Sequence, residues 1–342
     1  MTLQELVGVE LPIIQAPMAG YQGSAMTIAV SNAGGLGSLP CAMLSLQAMQ
    51  TELTAIRAST GKPFNVNFFC HPTPEIDIER EAAWRKLLQP YLAEFDIELG
   101  DASTPSRTPF NAAAADVLEA FKPAVVSFHF GLPAADLVKR VKGWGSKVLA
   151  SATTVEEALW LARAGADAII AQGLEAGGHR GIFLSEDLTT QVGTFALLPQ
   201  IARAVRVPVI AAGGIADAKG VAAAISLGAA GVQPGTAYLL CPEATTSAVH
   251  RAALQSDRVS HTALTNLFSG RPARGIMNRL MAELGPINAA APAFPLAGAA
   301  LAALRKKAES AGMGDFSPLW SGQNASGCRA IPAAALTRAL SS

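Results

Sequence analysis

The chain has 342 residues, of which 50% are hydrophobic and 15% charged. That composition supports a large buried core and excludes intrinsic disorder, and the length fits two ordinary domains or one α/β barrel with additions. Lys+Arg and Asp+Glu number 26 each, for a formal net charge of +0. With no basic tract or acidic tail, neither nucleic acid nor an anionic membrane is the expected partner.

Met1 to Glu10 carries two acidic residues and no basic one, unlike a signal or transit peptide. Three stretches lack charge: Leu11–Thr51, Gly220–Pro242 and Pro286–Leu304. Gly and Pro interrupt each of them, whereas a membrane span needs about 20 mostly apolar residues in one run. They read as buried soluble structure. Cys41, Cys70, Cys241 and Cys328 are far apart and form no CxxC pair. A disulfide framework or structural zinc is not expected, and a reducing cytoplasm is the natural compartment.

In chain order, the predicted strands are Ile13–Met18, Gly35–Pro40, Phe64–Phe69, Ala124–Gly131, Lys147–Ala152, Ala168–Gly173, Pro208–Gly214 and Gly231–Thr236. Most are continuous apolar runs, as strands buried on both faces should be. Helical patterns fall between them. Leu46, Met49, Leu53 and Ile56 share one face; Thr154 and Glu157 have capping-box spacing; Leu198, Ile201, Ala202 and Val205 form a stripe, with Pro199 expected in a first turn. Asp217 is the expected N-cap of Ala218–Leu227, with Gly228 as its stop.

This alternation predicts a closed (β/α)₈ TIM barrel; an open doubly wound sheet is the alternative. The long gaps after Phe64–Phe69 and Ala168–Gly173 put extra chain at the C-terminal face, where barrel active sites form. The expected barrel core is residues 1–70 and 111–242, completed by about 290–342. Residues 71–110, which carry the pattern Trp84, Leu87, Leu88 and Tyr91, and residues 243–289 are the expected helical cap. No GxGxxG opens a helix after the first strand, which speaks against a dinucleotide fold.

Two glycine-bearing strand ends suggest a phosphate site. Gly213 and Gly214 precede the Asp217 helix, and Gln233-Pro234-Gly235-Thr236 ends the next unit. Glycines admit a phosphate closely and a helix start favours it; the plain alternative is a tight turn. In Gln172–Gly181, His179 lies among glycines after a strand and suits proton abstraction, against the alternative of a surface-loop histidine. Glu175 is either a second acid/base group or a backbone ligand.

Alternation sets Ser127 and His129 on one face with Val125, so His129 either faces the barrel mouth or is a hydrogen-bonded core residue. His71, His250 and His261 read as structural or exposed, and no His/Asp/Glu spacing suggests a metal. Asn65 and Asn67 offer amides for a heteroaromatic ring or for neighbouring backbone. Arg271 and Arg274 lie in a Gly/Pro-rich loop that either holds a carboxylate or caps a helix.

Together these pieces resemble the nitronate monooxygenase family, formerly called 2-nitropropane dioxygenases, and its class I bacterial members most closely. The resemblance rests on Pro12–Gly20 (PIIQAPMAG), Pro63–Cys70 (PFNVNFFC), Val125–Gly131, Gln172–Gly181, Pro208–Asp217, Gln233–Thr236 and Thr265–Arg279. It implies a flavin-containing TIM barrel with noncovalent FMN. It places Ala16, Pro17 and Met18 beside the ring, and Asn67 and Gln172 on polar ring or ribityl groups. Gly177, Gly178, Gly213, Gly214, Gln233, Pro234, Gly235 and Thr236 fall at the cofactor and its phosphate. His179 matches the catalytic histidine, and His129 is a second candidate. Pro234 departs from the family pattern and removes one amide donor.

The implied reaction is oxidation of an alkyl nitronate, chiefly propionate 3-nitronate, with O₂ to a carbonyl compound and nitrite or nitrate. Arg180 and Arg274 are the expected positive charges for substrate. The expected partners are that small molecule and O₂, with a homodimer allowed. The rival functions are an NAD(P)H-dependent quinone or enoyl-thioester reductase on the same barrel, and a flavin-binding protein without turnover.

Overall fold

The computed structural model describes residues 1–98 and 107–342. Residues 99–106 of the expected cap insert lie outside the described residues.

Seven parallel strands form one curled sheet. They are β1 (Gly37–Pro40), β2 (Phe64–Phe69), β3 (Val125–His129), β4 (Lys147–Ala152), β5 (Ala168–Gln172), β7 (Val209–Ala212) and β8 (Gly231–Val232). A second sheet, absent from the sequence reading, pairs β6 (Gly178–His179) with β10 (Ala273–Ile276) and β10 with β9 (Thr262–Thr265), antiparallel throughout. The expected strand Ile13–Met18 is reduced to two bridges, Ile13 to Val232 and Ile14 to Leu36, and these join the last strand to the first. The Ile14 amide donates to the Val232 carbonyl (2.8 Å) and the Leu36 amide to the Ile13 carbonyl (2.8 Å). The cylinder is thereby closed, and the open doubly wound alternative is excluded.

Side-chain alternation sorts the wall into two surfaces. Phe64, Val66, Phe68, Val126 and Phe128 point outward into the layer of helices. Val125, Leu149, Ile170 and Ile210 point inward and meet Leu3 and Val9, whose N-terminal segment plugs the lower end of the barrel. The upper inner layer is polar, with buried Asn67, Ser127, Ser151 and Gln172. A dry lower layer below a polar mouth sets where chemistry can occur.

Above the mouth lies a separate apolar cluster. Trp84, Leu88 and Tyr91 of the helix Ile78–Glu94 pack with Leu267, Phe268, Leu301, Leu304 and Phe316. Helix Ala297–Ser310 therefore belongs to this outer cluster and not to the barrel, contrary to the expectation for 290–342. From that stretch Ala333, Leu336 and Leu340, on the helix Ala333–Ala339, do join the barrel core.

Three local expectations change. Gly231–Thr236 is a strand only to Val232, because Thr236 opens a 3-10 turn. Pro199 lies inside the helix Thr194–Ala204 instead of in its first turn. The missing N–H falls opposite the Phe195 carbonyl, on a side of the helix where Phe195 is 74% exposed. Thr154 does cap its helix by accepting from the Glu157 amide, but Glu157 does not complete the box. Its buried carboxylate instead accepts from the amides of Thr153 (2.6 Å) and Phe183 (2.6 Å), tying the chain after β6 to the end of β4. Asp217 caps Ala218–Ser226 as expected, accepting from the Gly220 amide (2.8 Å). No helix among the described residues is long and apolar enough to cross a membrane.

Candidate active site

A cleft of about 1250 Å³, counting its open mouth, occupies the C-terminal end of the barrel. Its floor is mostly backbone. Gly213 and Gly214 follow β7 with φ of +114° and +71°, left-handed conformations that glycine adopts without strain. The amides of Gly214 and Thr236 have no acceptor among the described residues. Gly235 lies so close to the Pro17 side that an added Cβ would meet Ala16 at 3.2 Å. Gln233 Oε1 is buried in the wall without a hydrogen-bond partner, an open acceptor for a ring N–H. Donors free for an anion, an acceptor free for a ring edge, and the apolar Ala16–Met18 segment fit a nucleotide-like flavin.

The opposite wall is aromatic and carries His179. Phe69, Phe130, Phe294 and Trp320 surround its ring, with centroids 6.0, 6.0, 5.3 and 5.6 Å away. Burial, followed by the positive charge of Arg107, holds the His179 pKa well below the usual imidazole value, so the ring is neutral at physiological pH. Its Nε2 lies 2.8 Å from Ser269 Oγ. With the Ser269 hydroxyl proton on the Arg271 carbonyl (3.3 Å), Ser269 Oγ accepts from His179 Nε2–H in the Nε2-protonated tautomer. Nδ1 then carries the free lone pair, the atom a general base needs.

His129 is placed differently, although it lines the same cleft. Its Nε2 faces the His179 carbonyl (3.2 Å), which can only accept, and its Nδ1 faces Ser151 Oγ (3.0 Å). Both nitrogens are committed, and burial brings its pKa down to about 4. The sequence alternatives for His129, barrel mouth or hydrogen-bonded residue, are thus both realised. Gln172 supports the same carbonyl: its Nε2 donates to His179 O (2.9 Å) while its Oε1 accepts from the Gly181 amide (2.7 Å). Asn67 Nδ2 donates to Ser127 Oγ (2.9 Å).

The sequence model of the nitronate monooxygenase family matches residues 1–341. The chain is 44% identical to a nitronate monooxygenase of Pseudomonas aeruginosa, over 98% of this chain and 96% of the relative. It is 42% identical to one from Paraburkholderia phytofirmans, over 99% and 93%. The chain belongs to the nitronate monooxygenase family. Among solved structures, a nitroalkane oxidase from Streptomyces ansochromogenes superposes with a TM-score of 0.91 at 39% identity, covering 99% of this chain and 96% of that one. FabK from Thermotoga maritima gives 0.73 at 27% identity, covering 99% and 94%. This nitronate monooxygenase family member is thus an oxidoreductase on a TIM barrel, acting on a small molecule.

In this family member Ala16, Pro17, Met18, Asn67, His129, Gln172, Gly177, Gly178, His179, Gly213, Gly214, Gln233, Pro234, Gly235 and Thr236 all line one cleft. Arg180 and Arg274 do not. Arg180 is fully buried behind the wall, donating to the carbonyls of Gly173 (2.7 Å) and Gln172 (2.8 Å) and to Gln191. Arg274 donates to the Leu174 carbonyl (3.0 Å). Both guanidiniums satisfy loop carbonyls that would otherwise be orphaned, so the expectation that they meet substrate is corrected. Glu175 likewise caps backbone, accepting from the Thr194 amide (2.8 Å) and hydroxyl (2.8 Å).

Other lining residues escaped the sequence reading. Phe69 shares the parity of Asn65 and Asn67 on β2, a signal that was available. The C-terminal stretch, expected only to complete the barrel, supplies Trp320, Gly322 and Asn324. The Gly322 amide donates to Thr236 Oγ1 (2.9 Å) and Asn324 Nδ2 to the Gly214 carbonyl (2.9 Å), so this segment clasps both glycine loops. Arg107, from the cap insert, also faces the cleft.

Proposed function

We propose that the chain is an FMN-dependent nitronate monooxygenase that oxidises alkyl nitronates, propionate 3-nitronate in particular, with O₂ to the carbonyl compound and nitrite or nitrate. When bound, FMN supplies the redox chemistry between the nitronate carbon and O₂. The amides of Gly214 and Thr236 hold its phosphate, aided by Gly213 and Gly235. Ala16, Pro17 and Met18 line the ring, and Gln233 Oε1 takes a ring N–H. Pro234 contributes its carbonyl to the Ala16 amide (3.0 Å) and no donor to the phosphate.

His179 Nδ1 accepts the α-proton of a neutral nitroalkane, and Ser269 keeps that nitrogen free. Asn67 and Gln172 sit at polar edges of the ring, with Gln172 and His129 positioning the His179 backbone. The aromatic cage excludes water from the reacting carbon. The observation that carries this reading is the meeting, in one cleft, of a neutral histidine with a free nitrogen and a floor of unpaired amides.

The test is the visible spectrum of the purified protein with oxygen uptake on propionate 3-nitronate. A yellow protein that consumes oxygen with the nitronate supports the proposal. Prompt anaerobic bleaching by NADH, with no response to nitronate, would instead select the reductase function.

A further inference from the structure

Four arginines surround the cleft, and three serve the protein itself. Arg180 and Arg274 bond carbonyls behind the wall. Arg271 donates to the Ile182 carbonyl (2.8 Å) and lies over the Phe130 ring. Arg107 differs. It lines the cleft, yet its Nε is buried with no hydrogen-bond partner among the described residues. Among the described residues no carboxylate pairs with it. Its guanidinium lies over the face of Phe294, and Tyr21 and His179 line the same cleft; none of these is anionic.

Burying a cation without a counter-anion is costly, and the cost is recovered when an anion arrives. The position is also held by the ring it lies over, that of Phe294. Phe294 spaces the cation from the base: the Arg107 guanidinium and the His179 ring each lie 5.3 Å from its centroid. A substrate that reacts beside His179 and carries a second negative group a few bonds away would reach Arg107. A carboxylate suits the planar guanidinium fork better than a point charge would.

We propose that Arg107 is the specificity-determining residue of the cleft, binding a carboxylate at the far end of the nitronate and thereby favouring carboxylate-bearing nitronates over those with apolar tails. This rests on the nitronate reading above and adds the residue that recognises the tail. A charge-assisted pair of this kind is worth roughly ten- to a hundred-fold in affinity.

The experiment compares FMN-loaded wild type, Arg107→Met and Arg107→Lys on propionate 3-nitronate and on propyl-1-nitronate. Succinate, an unreactive two-ended anion, is titrated calorimetrically into the same proteins. Arg107→Met should lower kcat/KM on propionate 3-nitronate by roughly ten- to a hundred-fold through KM, and change propyl-1-nitronate by less than about three-fold. Succinate binding should weaken in parallel, with Arg107→Lys in between. Equal losses on both nitronates, or unchanged succinate binding, would overturn the proposal. If the wild type oxidises neither nitronate, the nitronate reading fails, and the succinate titration still decides the role of Arg107.

Discussion

The barrel mouth and the cap above it build the two halves of the cleft from different materials. The barrel half is backbone: glycines in left-handed conformations, free amides and one orphaned amide oxygen. The cap half is side chain: Phe294, Trp320, Ser269 and Arg107 gathered around His179. On the function proposed above, the first half holds the cofactor whatever the substrate and the second selects the molecule presented to it, which is why a shared barrel alone says little about the reaction.

Acidification should strain the joints between the halves most. His71 packs edge-on against Phe294, His129 faces the His179 carbonyl, and His250 the Trp320 carbonyl (3.0 Å). Burial lowers all three pKa values to about 4, against 6.5 for a free ring. The unfolded chain then binds more protons than the folded one between those values. Stability is full above about pH 6.5, falls as pH drops toward about 4, and levels off below; each ring contributes up to about 1.4 kcal/mol per pH unit in that window. Urea midpoints measured across that range should show the decline, and a flat profile would contradict the neutral assignment.

His179→Asn separates the halves kinetically. Turnover of neutral nitroalkanes should fall roughly 10²- to 10⁴-fold while the flavin spectrum is kept. Loss of flavin in step with activity would assign His179 to cofactor binding instead. Trp84→Ala attacks the cap alone. The side chain is fully buried and its indole N–H donates to the Ala297 carbonyl (3.1 Å), so the cap should lose about 3–5 kcal/mol. Its unfolding should precede that of the barrel in a thermal scan; a single transition at the wild-type temperature would show that Trp84 does not hold the cap. Gly177→Ala acts where the halves touch, since a Cβ would come 2.5 Å from the Gly322 amide nitrogen. Displacing that clasp should cost roughly 1–3 kcal/mol and weaken FMN binding, which a flavin fluorescence titration reads.

The same division explains what was legible in the sequence. The strands Phe64–Phe69 and Lys147–Ala152 are found at the expected bounds because apolar runs between turn signals are local. Every cofactor position implied by the resemblance lines the cleft, and of these the glycine strand ends, Gly213, Gly214 and Gly235, are marked by the sequence itself. The cap positions are not. Arg107 has no periodic neighbours to mark it, and Trp320 and Gly322 reach the cleft through tertiary contacts, among them β10, where the Ile276 amide donates to the Leu319 carbonyl (2.8 Å). Arg180 misled for a physical reason: its place beside His179 is local, but alternation along the short β6 turns its side chain to the back of the wall.

The central claim is that flavin held on the glycine floor oxidises a nitronate beside a neutral His179. Oxygen consumption by the yellow purified protein on adding propionate 3-nitronate tests it most directly. The account predicts prompt uptake with release of nitrite or nitrate. A protein that takes up no FMN, or one that is flavin-loaded yet leaves oxygen untouched in the presence of the nitronate, would contradict it.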